Sequence, residues 1–292
     1  GITCNDLYFY GNSSTNHGIH LSDTEFTANS FNAIGDSAAS YGVFWDRSRI
    51  GTLNFMRVTG IGTSAIVFNL ATPFTFPSCC ITGYNTQNSI TVSNDAIILF
   101  SGSTTTDLIF SSDTIIVATN VRDALDYGIK FTGNNIYFRG NTDIQSNSVS
   151  EAISFKVENN IIFESTHLPY MVANINGRGT KGGLFLDAKQ LQVSQNASVS
   201  LNGNIYRDSS ISNFGGDACF VDSAISIDNT SSLNIYGLVE EANVISRGVN
   251  MVTSVTMYSG STFSINGDCN NSTQSCIGVE STNSGFYGNV YS

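Results

Sequence analysis

Charge is scarce in this 292-residue chain: Asp, Glu, Lys and Arg together make up 12% of it, against 41% apolar residues. That balance excludes a charge-driven disordered tail, because the chain holds enough apolar residues to bury a core. Positive charge is scarcer still. The 12 Lys and Arg are outnumbered by 23 Asp and Glu, for a net charge of −11. They are also scattered, so the clustered cations that a phosphate backbone demands are missing and nucleic acid is not an expected partner. Long apolar runs are missing too. Stretches such as Ala96–Phe100 have the length of a strand, well short of the roughly 18–20 residues that cross a bilayer as a helix. No direct membrane insertion of this segment is expected. The chain opens at Gly1 without an initiator Met or a signal-peptide pattern, the mark of a processed protein or of part of a longer one.

Sulfur and imidazole are sparse as well. Six cysteines (Cys4, Cys79, Cys80, Cys219, Cys269 and Cys276) are too few for a disulfide-dense miniprotein, and their spacing matches no zinc signature. Cys269 and Cys276 bracket the polar stretch GDCNNSTQSC, where a bridge would close a short excursion; two buried thiols are the alternative. Adjacent Cys79 and Cys80 would point to opposite faces of a strand. The three histidines, His17, His20 and His167, form no metal set, since His17 and His20 straddle a turn and a strand start without helical spacing to bring them together. No cofactor or metal is called for. Acceptor sequons for N-glycosylation stand at Asn12, Asn196, Asn229 and Asn271, each in a polar segment suited to a surface.

Ser, Thr, Asn and Gly fill the space between short apolar runs, a composition that favours turns and strands over helices. The runs recur. GIHLSDTEFTAN at Gly18, GVFWDRSRIGTLNF at Gly42, AIVFNLATPFTF at Ala65 and SITVSNDAIILF at Ser89 share one design. A small residue opens two or three alternating apolar positions, a polar kink follows, and a second short apolar strand ends in a turn. Further units start at Asp107, Gly128, Ala152 and Gly183, with looser ones at Cys219, Gly248 and Cys276. Their starts are 24, 23, 24, 18, 21 and 24 residues apart, then 31, 36, 29 and 28.

Alternation argues strand, and strands this short must stack to bury an interior. The expected fold is therefore all-β: a single parallel β-helix of about eleven coils, one domain over 1–292. Coils would be regular through residues 1–165 and elaborated by longer loop insertions over 166–292. Inward positions would include Ile19, Leu21 and Phe26, or Ile129, Phe131, Ile136 and Phe138. The small residue opening each unit marks a corner with little room for a side chain. An antiparallel sandwich is the competing architecture, but it calls for hairpin dipeptides every 8 to 12 residues, and Asn202-Gly203 is among the few candidates.

The small-residue-Ile/Val/Leu openings, with Phe-x-x-Asn at Phe26–Asn29, Phe131–Asn134 and Phe138–Asn141, resemble the repeats of polymorphic outer membrane proteins and, more generally, of autotransporter passenger domains. That resemblance implies a right-handed β-helix.

Catalytic candidates do not assemble from the sequence. Asn141-Thr142-Asp143 resembles the first motif of the polygalacturonase-like glycosidases, yet the Asp-Asp, Gly-His-Gly and Arg-x-Lys segments that accompany it there are absent. Asp143 reads as a solvated turn residue. Other carboxylates (Asp123, Asp126, Glu151, Glu158, Asp217, Asp222 and the pair Glu240-Glu241 in the most helix-compatible stretch) have an account as solubilising charges, while Glu164 and Asp187 lie in strand-like segments, where a carboxylate ladder on an outer face would suit a cation or a sugar. Aromatics that alternate with inward residues, including Tyr8, Tyr10, Trp45, Tyr127, Tyr137, Tyr170, Tyr206, Tyr236, Tyr258, Tyr287 and Tyr291, are candidates for an outward binding face. The expectation is a non-enzymatic extracellular or cell- or virion-surface β-helix. It would serve as an adhesin or a fibre subunit, partnered by itself end to end or laterally, by other surface proteins, or by glycans. The rival is a polysaccharide-binding or depolymerising β-helix such as a viral tailspike body, with Thr166–Gly182 and Gly203–Gly216 as its binding loops.

Overall fold

A computed structural model describes residues 1–37, 40–85, 96–120, 127–148, 150–166, 169–207, 213–270, 275–282 and 286–287. His167, Asp123, Asp126, Asn271 and Tyr291 lie outside the described residues. Among those described, every regular element is a strand, and every strand pair is parallel. The antiparallel sandwich is thereby excluded.

The chain visits three faces in rotation. A first face holds short strands such as Glu25–Thr27, Phe74–Phe76, Leu108–Phe110 and Ile136–Phe138. The second is a continuous ten-stranded sheet running from Asp6–Ser13 to Thr262–Cys269. The third carries Ile19–Ser22, Tyr41–Asp46, Ser64–Leu70, Ala96–Gly102, Tyr127–Gly133 and their later counterparts. Strands pair with their equivalents one rotation earlier and later, apart from the end strands and a break on the first face between Arg49–Thr52 and Phe74–Phe76, an arrangement compatible with a β-helical solenoid.

The long spacings of the later units are not simply insertions. Met171–Gly179, inside the stretch expected to be a loop, is a strand of the ten-stranded sheet, in register with Thr142–Asn147. Gly182–Ser194 and Asp217–Ile227 run on from the third face to the first as single strands, with a register break between Asp187 and Gln190. The sequence pattern gave no sign of this, since a strand that turns a corner keeps its period of two on both sides. The helix-compatible segment is no helix either; Ser232–Val239 is a strand.

The core follows from the alternation. Ile19, Leu21, Phe26, Ile129, Phe131, Ile136 and Phe138 are all buried. Equivalent Phe residues stack in two columns. On the third face Phe68, Phe100, Phe131 and Phe155 lie ring on ring, at 5.1, 4.6 and 4.6 Å with planes within 6°. On the first face Phe76, Phe110, Phe138 and Phe163 stack at 4.5, 5.0 and 5.0 Å. The columns meet edge to face, as at Phe131–Phe138 with planes at 83°. Parallel registration forces like onto like, and the offset and T-shaped geometries are those that aromatic quadrupoles favour. Trp45 closes this region against Phe26, Phe31, Phe68 and Phe74. Fully buried, its Nε1 donating to the Ser48 carbonyl at 2.8 Å, it belongs to the interior and not to an outward aromatic face.

Where the second face turns into the third, two columns of small residues press backbone to backbone. One holds residues that open the units, among them Gly18, Gly42, Ala65, Gly183 and Gly248, together with Ala218, which precedes the unit at Cys219. The facing column runs in unbroken register through Gly11, Gly35, Gly60, Gly83, Ala118, Ser146, Gly177, Gly203, Gly237 and Gly267. A Cβ at Gly177 would fall 2.0 Å from the Gly183 carbonyl oxygen. Asn ladders brace the other corners: Asn54 donates to Asn29 Oδ1 at 2.8 Å and Asn160 to Asn135 Oδ1 at 2.9 Å.

Cys269 and Cys276 form a disulfide that ties the last strand of the ten-stranded sheet to Cys276–Ser281. Cys79 and Cys219 are buried thiols, pushed up to about 12 chiefly by burial, and pack as small apolar groups. The bridged residues are seven apart, so chain entropy gives the bridge about 2.5 kcal/mol. Cys269→Ser/Cys276→Ser is accordingly expected to raise hydrogen exchange in Thr262–Cys269 and Cys276–Ser281 while leaving the Phe columns protected. Exchange mass spectrometry reads this directly.

Candidate functional site

The outward side chains of the ten-stranded sheet form columns along the stack, because parallel register repeats each position at about 4.8 Å. Toward the corner that enters the third face, five successive strands are indented into a groove of about 530 Å³. Its side chains come from two columns. One reads Val117, Gln145, Asn176, Asn202 and Tyr236; its neighbour reads Thr119, Asn147, Arg178, Asn204 and Leu238. The small-residue column between them, Ala118, Ser146, Gly177 and Gly203, faces inward and lets the floor lie low.

Amides dominate this surface, and each is partly committed. Asn202 Nδ2 donates to Asn176 Oδ1 at 2.9 Å and to Ser200 Oγ at 3.1 Å. Gln145 Nε2 donates to both oxygens of Asp143, at 3.1 and 2.9 Å. Asp143, expected in a turn, is instead the second residue of the strand Thr142–Asn147 and orients a groove amide. Among the described residues, Asn176 Nδ2 and Gln145 Oε1 have no hydrogen bond to the chain, one a donor and one an acceptor.

One wall is a polar clasp. The Arg178 guanidinium lies 4.5 Å over the Tyr206 ring and pairs with Glu240 at 3.1 Å. Glu240 in turn accepts from Asn204 Nδ2 at 2.7 Å, while Tyr206 donates to the Ser148 carbonyl at 3.1 Å. Asn204 Oδ1 is buried without a hydrogen-bond partner among the described residues, an unmet acceptor that disfavours leaving the groove floor as it stands. At the far end Tyr236 donates to Asp268 at 2.9 Å, and that bond raises the phenol's pKa, with burial and the carboxylate's charge adding to it.

The carboxylates considered as catalytic candidates go elsewhere. Glu164 pairs with Arg139 at 2.7 Å, Asp217 with Arg247 at 2.6 Å and Glu241 with Arg207 at 3.0 Å. Asp187 and Asp222 do stand directly opposite one another on adjacent strands, beside Lys156 and Glu158 in a second groove of about 490 Å³. That groove lies toward the first face, and no aromatic side chain lines it. A smaller groove of about 140 Å³ does set Glu151 and Asp217 beside the stacked rings of Phe185 and Phe220, with Asp217 held by Arg247.

The histidines differ from expectation. His17 and His20 do meet, their rings 5.3 Å apart, with His17 stacked on Tyr41 at 4.8 Å and His20 on Phe44 at 4.9 Å. A strand start after a tight turn brings together what helical spacing would otherwise be needed for. His17 titrates below its ordinary value through burial and the neighbouring His20. Among the described residues no group of three His, Cys, Asp or Glu is placed to hold a metal.

Asn12, Asn196 and Asn229 are exposed, the last two in turns between strands. Of the groove residues, sequence inspection points to Tyr206 and Tyr236 but passes over Gln145, Asn176, Asn202, Asn204 and Arg178. The signal was there in principle, since these recur once per unit, but only the pairing register shows that they form columns. Comparison with models of known protein families, with curated proteins and with solved structures finds no match for this chain.

Proposed function

We propose that this chain is a right-handed parallel β-helix of about eleven coils, an extracellular non-enzymatic adhesin that holds an extended glycan along the groove of its ten-stranded face. One observation carries the reading: Gln145, Asn176 and Asn202 present donors and acceptors at one strand spacing, in a groove open at the surface. Sugar hydroxyls both donate and accept, so an amide column matches them without a net charge on either side. The flanking Tyr236 and the Arg178–Tyr206 wall supply flat apolar surface for ring faces. The carboxylates beside this groove are engaged, Glu240 by Arg178 and Asn204, Asp143 by Gln145 and Asp268 by Tyr236, which favours binding over hydrolysis. The disulfide fits an oxidising setting, and the exposed turns at Asn196 and Asn229 would admit N-linked sugars.

Removing two amides deletes two hydrogen bonds worth together about 2 kcal/mol, roughly thirtyfold in affinity. Asn176→Ala/Asn202→Ala is therefore expected to lose binding to the glycans that the wild-type protein retains on a glycan array, at an unchanged melting temperature. If the wild type retains none, or the variant binds as well as the wild type, the proposal is wrong.

A further inference from the structure

The amide column does not stop at the groove. Followed in register toward the other end of the same face, it reads Asn266, Tyr236, Asn202, Asn176, Gln145, Val117, Thr82, Thr59, Ile34 and Tyr10. Ten outward positions carry no ionisable acid or base other than two tyrosines, on a protein whose net charge is −11. Its far end is aromatic. Tyr8 and Tyr10 are 75% and 76% exposed, Ile34 is 45% exposed, and Tyr84 stands beside the track at 41%. Exposed aromatic side chains grouped at one end of a face form a surface of the kind that marks a binding site.

Resting on the glycan reading above, we infer that the ligand is a neutral polymer long enough to run from the groove to the Tyr8/Tyr10 platform, and that this platform is a second contact subsite. Tyr10 and Tyr236 are eight strand spacings apart, roughly 38 Å, a span no short oligosaccharide covers. Hydroxyl, amide and aromatic side chains line the way, and Arg178, the cation in the groove, is already neutralised by Glu240. An anionic polymer would meet the repulsion of the whole chain, against which this face sets Arg57, exposed in the column that also carries Tyr8, and Arg178 in its pair with Glu240. Two subsites joined by one polymer raise affinity over either alone by mass action.

The test uses the intact chain with immobilised galactomannan, laminarin and dextran as neutral polymers, polygalacturonate as the anionic one, and hexasaccharide fragments of whichever neutral polymer binds. The expected result is binding to at least one neutral polymer, none to polygalacturonate, and little change between 50 and 500 mM salt. Tyr8→Ala/Tyr10→Ala is expected to weaken the polymer about tenfold or more and leave the hexasaccharide unaffected. Equal polymer affinity in this variant overturns the second subsite, and preference for polygalacturonate overturns the neutral class. The groove itself is read separately: hexasaccharide binding that survives Asn176→Ala/Asn202→Ala overturns the groove and leaves the platform result standing on its own.

Discussion

Gly203→Ala is expected to lower the stability of the fold by about 3 kcal/mol or more, while Gly182→Ala on the preceding strand is expected to be neutral or slightly stabilising. A Cβ on Gly203 would stand 1.7 Å from the Ala218 carbonyl oxygen, 2.5 Å from its carbon and 2.7 Å from Cys219 Sγ. Two of those atoms are backbone in a paired strand, so relief requires pulling two sheets apart at a corner where hydrogen bonds hold both. At Gly182 the nearest atoms are 3.4 Å and 3.5 Å away, ordinary contact. There the alanine stiffens the unfolded chain and gives back up to about 0.5–1 kcal/mol. Urea denaturation of the two variants beside the wild type measures the contrast. Equal, small shifts would mean that the corner yields, and that the small-residue columns are not what closes the faces on each other.

Phe131→Ala is expected to cost about 4 kcal/mol, with Phe131→Leu well below that. Phe131 is fully buried, stacked 4.6 Å from Phe100 above and 4.6 Å from Phe155 below, and edge-on to Phe110 and Phe138. Truncation removes the transfer free energy of the ring, leaves a cavity whose walls are held by two sheets, and breaks several aromatic pairs at once. Leucine refills most of the volume and forfeits mainly the ring-on-ring geometry. Because layers in a stacked fold contact chiefly their neighbours, the deficit should be local. The expected outcome by hydrogen exchange is loss of protection in Ala96–Gly102, Tyr127–Gly133 and Glu151–Val157, with Ser232–Val239 unchanged. A uniform loss along the whole stack would instead report a single cooperative unit.

Both experiments probe features that differ in how visible they are in the sequence. The Phe positions are legible: Phe131 and Phe138 fall in alternating runs that recur at the unit period, so their inward direction follows from strand geometry alone. One small-residue column is legible as well, because Gly18, Gly42 and Gly183 open their units. The facing column is not. Gly203 looks like a hairpin dipeptide with Asn202, and Gly177 falls in a stretch that lacks an apolar run long enough to announce a strand. Nothing local separates a glycine that turns the chain from one that lets another backbone approach.

The groove is hidden for the same reason. Asn176, Asn202 and Gln145 are unremarkable polar residues in a chain full of them, and they become a column only when strands 25 to 35 residues apart are laid in register. Asp187 and Asp222 likewise become neighbours only through pairing, and His17 and His20 meet because a turn, not a helix, brings them together.

Composition and period by themselves determined that this chain builds strands and buries the alternating Phe and Ile positions that recur in its units, since those properties follow from side-chain chemistry summed over short windows. Which residues stand above one another was decided by the tertiary structure. Register is a long-range property: it fixes which amides share a column, which glycines touch and where the aromatics emerge, and a shift of one residue in any strand would exchange its inward and outward faces.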